Sequence, residues 1–253
     1  MDSRAQITIY ILTGILILIL ASLLIHLQQP YLKKSSQTLI TNFDTSSVQE
    51  YLYQCFEYSV YSTVFQLEEV GSLDPDLDTI PFQEQDVTIL VDKDTSRIPS
   101  KKELEEQLAY KLLQWYESCE PEQEFPFTIK QDFESATSKV DILSNNIYFE
   151  IHVPTIVKTE SLEVVNLGTH ALTIPSSLYD LHKTAEILAK EFIKEPGSLP
   201  IDRLHNLSFA VYVQPFLNKQ AVIRLIDQTP KPESVSTLFS EEIPHAYTFG
   251  VKW

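Results

Sequence analysis

The sequence predicts an α+β protein held by one N-terminal transmembrane helix, with about three helices on a mainly antiparallel sheet forming the domain that follows. Three observations predict it. Residues Ile7 to Leu27 carry no charged side chain. Three later segments repeat apolar residues every three or four positions, the spacing of a helix with one buried stripe. From Phe127 onward the pattern changes to alternation, the spacing of strands with one buried face.

The run ITIYILTGILILILASLLIHL is long enough, at about 1.5 Å per residue, to span a hydrocarbon core of roughly 30 Å. Each Leu or Ile at its centre favours the bilayer by about 0.3–0.6 kcal/mol. A cleaved secretory signal has an apolar stretch of about 7–15 residues and a small-residue cleavage site. Here the run is longer and leads into Gln28, Gln29 and Pro30, so an uncleaved anchor is expected. The flanking charges do not orient it, because Asp2 offsets Arg4, while Lys33 and Lys34 follow the span. A minimal N-terminal tail, two cysteines and one glycosylation sequon favour a domain outside the cell. The expected division is an anchor at 1–28, a polar linker at 29–46 and an α+β extracytoplasmic domain at 47–205. A β segment at 206–253 either completes that domain or forms a small second sheet.

Hydrophobic residues make up 43% and charged residues 21%, the balance of a folded chain. The net charge of −16 argues against nucleic acids, which require a basic face. It also disfavours attraction of the domain to anionic lipid headgroups. Cations and basic partners remain compatible with it, and an acidic surface keeps the domain soluble. With only five glycines there is no Gly-rich loop to cradle a phosphate or dinucleotide. No cofactor is expected.

In the first helical segment Ser47 and Glu50 fit a capping box. Val48, Leu52, Phe56, Val60, Val64 and Leu67 form its stripe, and Gly71 stops it. Tyr51, Tyr53, Tyr58 and Tyr61 widen the apolar surface. Ser72 to Gln85 reads as a turn-rich stretch. Its Asp74, Asp76 and Asp78 resemble the start of a calcium loop, but Thr79 and Gln85 stand where that loop needs Gly and Glu. A strand at Val87–Asp92 precedes a second helix capped by Ser100 and Glu103, with Leu104, Leu108, Leu112 and Trp115 buried and an end near Cys119. Strands are expected at Phe127–Gln131, Lys139–Leu143, Ile147–Lys158 and Leu162–Ile174, with a turn at Asn145–Asn146 and Pro154 at an edge or bulge. Ser176 or Ser177 opens a third helix lined by Leu178, Leu181, Ala185, Leu188 and Phe192 and ended by Pro196–Gly197. Strands near Ser208–Gln214, Gln220–Asp227 and Ala246–Lys252 follow.

Arg4-Ala5-Gln6-Ile7 resembles the cleavage region of archaeal class III, prepilin-type signal peptides. The resemblance implies processing between Ala5 and Gln6, with the hydrophobic helix retained. Pilins commonly carry Glu five residues after the cut, where this chain has Tyr10. The body from Ser47 to Lys194, including SRIPSKKELEEQLAYKLLQWYESC and NIYFEIHVPTIVK, resembles an uncharacterised group of archaeal membrane-anchored surface proteins, as does the closing segment Ala246 to Trp253. That resemblance implies a cell-surface location and lends no catalytic residues.

Candidate chemistry is sparse. Cys55 and Cys119 are the two cysteines, and outside the cytoplasm they would tend to pair; two separate buried thiols are the alternative. A zinc site lacks third and fourth ligands nearby. The histidines, among them His26, His152, His170 and His182, are dispersed and form no metal motif. Glu105–Glu106 and Glu241–Glu242 are adjacent pairs that would diverge on a helix, as solvated surface. Asn206-Leu207-Ser208 is a glycosylation sequon. No nucleophile elbow or catalytic cysteine signature is present. The expected function is a non-catalytic surface or envelope protein that binds a protein partner or is structural. A pilin-like filament subunit and an envelope enzyme with a dispersed site are the alternatives.

Overall fold

The computed structural model describes residues 46–119, 128–158, 163–165, 167–195, 209–216, 219–228 and 245–252. In chain order these form α1 (Ser46–Val70), β1 (Thr79–Phe82), β2 (Gln85–Asp92), β3 (Thr95–Ser96), α2 (Lys101–Glu117), β4 (Thr128–Gln131), β5 (Thr137–Ile142) and β6 (Asn146–His152). They continue with β7 (Thr155–Lys158), β8 (Glu163–Val165), β9 (Thr169–Pro175), α3 (Leu178–Lys194), β10 (Phe209–Phe216), β11 (Gln220–Asp227) and β12 (Ala246–Lys252). The class is α+β, with mainly antiparallel sheets and three helices among the described residues. The run Ile7 to Leu27 lies outside them, and no described helix is long and apolar enough to cross a membrane.

The helices follow their stripes. In α1, Val48, Leu52, Phe56, Val60, Val64 and Leu67 are buried. Ser59 and Thr63 lie between them, and each hydroxyl donates to the carbonyl four residues earlier, so their burial leaves no donor unpaired. The helix starts at Ser46, which places Ser47 inside the first turn and not at the cap. In α2 the capping box of Ser100 and Glu103 is present. Its buried side runs Leu104, Leu108, Leu112 and Tyr116, an unbroken spacing of four. Trp115, expected there, is one position off the stripe and only partly buried. Ser177 stands at the N-cap of α3, while the Ser176 hydroxyl accepts the Leu178 N–H.

The largest sheet has the order β1-β2-β12-β11-β10, with β3 added beside β2. All its pairs are antiparallel except β12 with β2. That parallel pairing covers Gly250 to Lys252, and Ala246 to Phe249 do not share it. The end of α1 is seated there. Gly71 takes φ +80°, and its N–H closes the helix on the Leu67 carbonyl at 2.8 Å. A side chain at Gly71 would collide with the Thr248 carbonyl. The Tyr247 hydroxyl donates to the Gly71 carbonyl at 2.6 Å, so one glycine both stops the helix and fits it to the sheet.

Two three-stranded sheets, β5-β6-β9 and β4-β7-β8, fill the middle of the chain. The expected strand Ile147–Lys158 is broken at Val153–Pro154, where β6 leaves off and β7 crosses to pair with β4. Proline has no N–H for a ladder, which accounts for the break. The segment Leu162–Ile174 divides in the same way into β8 and β9. The β5–β6 turn centres on Ser144–Asn145, one residue earlier than expected, closed by the Leu143 N–H on the Asn146 carbonyl at 2.8 Å. The turn-rich stretch before β2 also holds β1, with Ile80 buried against Val87, Ile89 and Val222 in a second, smaller core. Helix α2 lies on β5, where the Ser138 hydroxyl donates to the Ala109 carbonyl at 2.7 Å.

Candidate functional site

The seam between α1 and α2 carries the sequence's main candidates. Cys55 belongs to the buried face of α1, and Cys119 follows the Ser118 C-cap of α2. Their sulfurs lie at disulfide distance, with Cα atoms 5.9 Å apart. The Tyr51 hydroxyl donates to the Cys119 carbonyl at 3.2 Å, tying the same two helices by a second bond.

Aromatic rings surround this junction. His170 of β9 stacks on Phe56 at 5.8 Å, with Tyr53 edge-on at 6.3 Å and Tyr116 at 6.4 Å. Phe133 meets Tyr116 edge-to-face at 6.2 Å. Burial lowers the pKa of His170, so the imidazole is neutral at neutral pH. Burial likewise pushes the Tyr116 hydroxyl up, an effect that Gln131 beside it partly offsets. Toward solvent, Tyr58 meets Trp115 edge-to-face at 6.3 Å, and the Lys111 ammonium lies 5.9 Å from the Trp115 ring. Packed among these rings, the His170 imidazole joins β9 to α1 and α2.

A second cluster lies at the far end of α1. Glu68 and Glu69 occupy its last turn, where the helix dipole disfavours anions. Arg224 of β11 forks onto the Glu69 carboxylate, and the His245 Nδ1–H donates to Glu68 at 2.6 Å. The Glu69–Arg224 ion pair and the Glu68–His245 hydrogen bond are both largely buried. Arg224 stands opposite Thr248 in the β11–β12 register, so its pair with Glu69 fastens α1 to a strand beyond β12. This cluster is absent from the residues singled out by sequence. Its only signal there is two acids at a helix end, since the partners lie 155 and 177 residues away.

The other singled-out residues are scattered. The Asp74 carboxylate accepts the Asp76 N–H at 3.0 Å within an acidic turn. Glu105 and Glu106 do diverge, but Glu105 is not mere solvated surface. It accepts the Ile142 N–H at 2.8 Å and pairs with Lys101 at 3.2 Å, bonding α2 to the end of β5. His152 shares a 2.8 Å hydrogen bond with Thr169. The buried His182 donates from Nε2 to the Pro99 carbonyl at 2.6 Å and meets the edge of Tyr247. Burial lowers its pKa, and the Pro99 bond works partly against that. Ala5, Gln6, His26, Asn206, Glu241 and Glu242 lie outside the described residues. Among the described residues, no three His, Cys, Asp or Glu side chains come together as a metal ion would require. No protein-family model matches the chain, and no curated protein or solved structure matches it significantly.

Proposed function

We propose that this chain is a non-catalytic, membrane-anchored surface or envelope protein, with its α+β domain outside the cell and engaged in protein binding or structure. One observation carries the reading: both of the chain's cysteines meet across the α1–α2 seam. Disulfides persist in oxidising compartments and are rare in the cytosol. The uncharged run Ile7 to Leu27 supports attachment to a bilayer, and the acidic balance of the chain speaks for a protein partner over nucleic acid. The resemblance to archaeal membrane-anchored surface proteins points the same way.

Intact-mass measurement of the purified native protein, with and without reductant and alkylating reagent, tests this. The reading expects two cysteines that alkylate only after reduction, and a retained Ile7–Leu27 segment. Two thiols that alkylate under denaturing, non-reducing conditions would remove its main support. The same spectrum separates the pilin-like reading, favoured by Arg4-Ala5-Gln6-Ile7: loss of residues 1 to 5 would support a processed filament subunit, and their retention a plain anchor.

A further inference from the structure

Strand β10 is an edge of the described sheet. Among the described residues it pairs with β11 alone, and no described strand lies along its other side. Its sequence, Phe209-Ala210-Val211-Tyr212-Val213-Gln214-Pro215-Phe216, holds none of the chain's 54 charged residues (19 basic plus 35 acidic). Soluble proteins usually blunt an edge this long with charges, a bulge or proline; here Pro215, next to the strand's end, is the one such device. Phe209, Val211 and Val213 pack against the main core yet stay only partly buried, and Tyr212 on the opposite face is 60% exposed.

Pro215 fixes which groups the edge offers. It stands opposite Ala221 and has no N–H, so its nitrogen fits where the backbone turns away from β11. Antiparallel ladders alternate, so Phe209, Val211 and Val213 also turn their N–H and C=O groups outward. We propose that this edge binds a second copy of the same chain, β10 against β10, antiparallel about a two-fold axis at Tyr212. In that register Val211 of each copy exchanges both hydrogen bonds with Val213 of the other. The Phe209 N–H of each copy donates to the Pro215 carbonyl of the other. The absent N–H of Pro215 then leaves just the Phe209 carbonyl without a donor. The two Tyr212 rings face each other as a cross-strand aromatic pair, and the half-covered core face of β10 is closed. A self-complementary strand suits an isologous interface, and an uncharged one is where two chains of net charge −16 can approach with least repulsion. The inference goes beyond the surface-protein reading and stands without it, because the edge is the same on either side of a membrane.

The test is cross-linking of the full chain in membranes. Opposed residues at a non-hydrogen-bonded antiparallel pair have Cα atoms about 4.5 Å apart, so Tyr212→Cys should give a disulfide-linked dimer under mild oxidation. Gln214→Cys, displaced by this register, should give at least tenfold less. Val213→Pro removes an outward N–H without touching the β11 ladder, and should shift detergent-solubilised protein from dimer to monomer in sedimentation. Wild-type protein that sediments as a monomer overturns the proposal. So does a dimer that the Tyr212→Cys variant fails to cross-link, or that the Gln214→Cys variant cross-links equally well; those results place the contact elsewhere or cover β10 with another segment or another protein.

Discussion

Strands β10 and β12 read almost alike: each has seven or eight residues, is rich in aromatic and aliphatic side chains, and holds at most one charge. Their surroundings are opposite. Ala246 to Val251 of β12 are all buried, with β11 along one side and β2 together with the end of α1 along the other. No residue of β10 is fully buried, and among the described residues that strand has one neighbour. Hydrophobic composition therefore marks a strand as fit for a core without saying whether the fold or another chain completes its surroundings. The difference lies in sheet order: the chain's last described strand enters the middle, and the strand two before it is left at the rim.

The largest expected effect sharpens that contrast. Phe249→Ala in β12 removes a wholly buried ring and should cost about 3–5 kcal/mol, while Tyr212→Ala in the monomer should cost under about 1 kcal/mol. Urea unfolding of both variants measures the gap; equal losses would mean that β10 is as enclosed as β12.

Next in size is the α1–α2 link. Cys55→Ser should lower stability by roughly 2–4 kcal/mol, since the closed loop spans 64 residues. Reductant should destabilise the wild type by a similar amount and leave Cys55→Ser unchanged. Truncating Arg224 to Ala should also be costly, at about 3 kcal/mol, because it strands the largely buried Glu69 at the unfavourable end of a helix. Glu69→Gln together with Arg224→Met should recover part of that loss, as read from the same unfolding curves.

The pH dependence follows from the buried imidazoles. His170 and His182 have lowered pKa values chiefly through burial, so below about pH 6.5 the unfolded chain binds protons that the fold excludes. Their contribution is complete above that value and is lost as pH falls toward their folded-state values. Urea midpoints should decline from about pH 7.5 to about pH 5.5, less steeply in His182→Gln. The smallest effect lies in a turn: Lys93 adopts φ +53° between β2 and β3, and Lys93→Gly should gain about 0.5 kcal/mol in thermal unfolding.

Much of this fold was legible residue by residue. The stripes of α1 and α3, the Ser100–Glu103 box, the stop at Gly71, and the strands at Gln220–Asp227 and Ala246–Lys252 all follow from local spacing. What was not legible depends on partners far along the chain. Trp115 was expected on the buried side of α2, although the spacing of four through Leu104, Leu108 and Leu112 leads to Tyr116. Pro154 marks a disturbed position in the sequence, but that the strands change sheets there and between β8 and β9 is not marked by alternation. The disulfide was one of two readings of two cysteines, while Glu68–His245 and Glu69–Arg224 had no sequence signal to pair them.

The proposal that this domain stands outside the membrane is tested most directly by protease treatment of intact cells, followed by detection of the domain and of the membrane-retained fragment. An outward-facing domain would be degraded without lysis, leaving the Ile7–Leu27 segment in the membrane fraction. A domain that survives on intact cells and is cut only after lysis would contradict it.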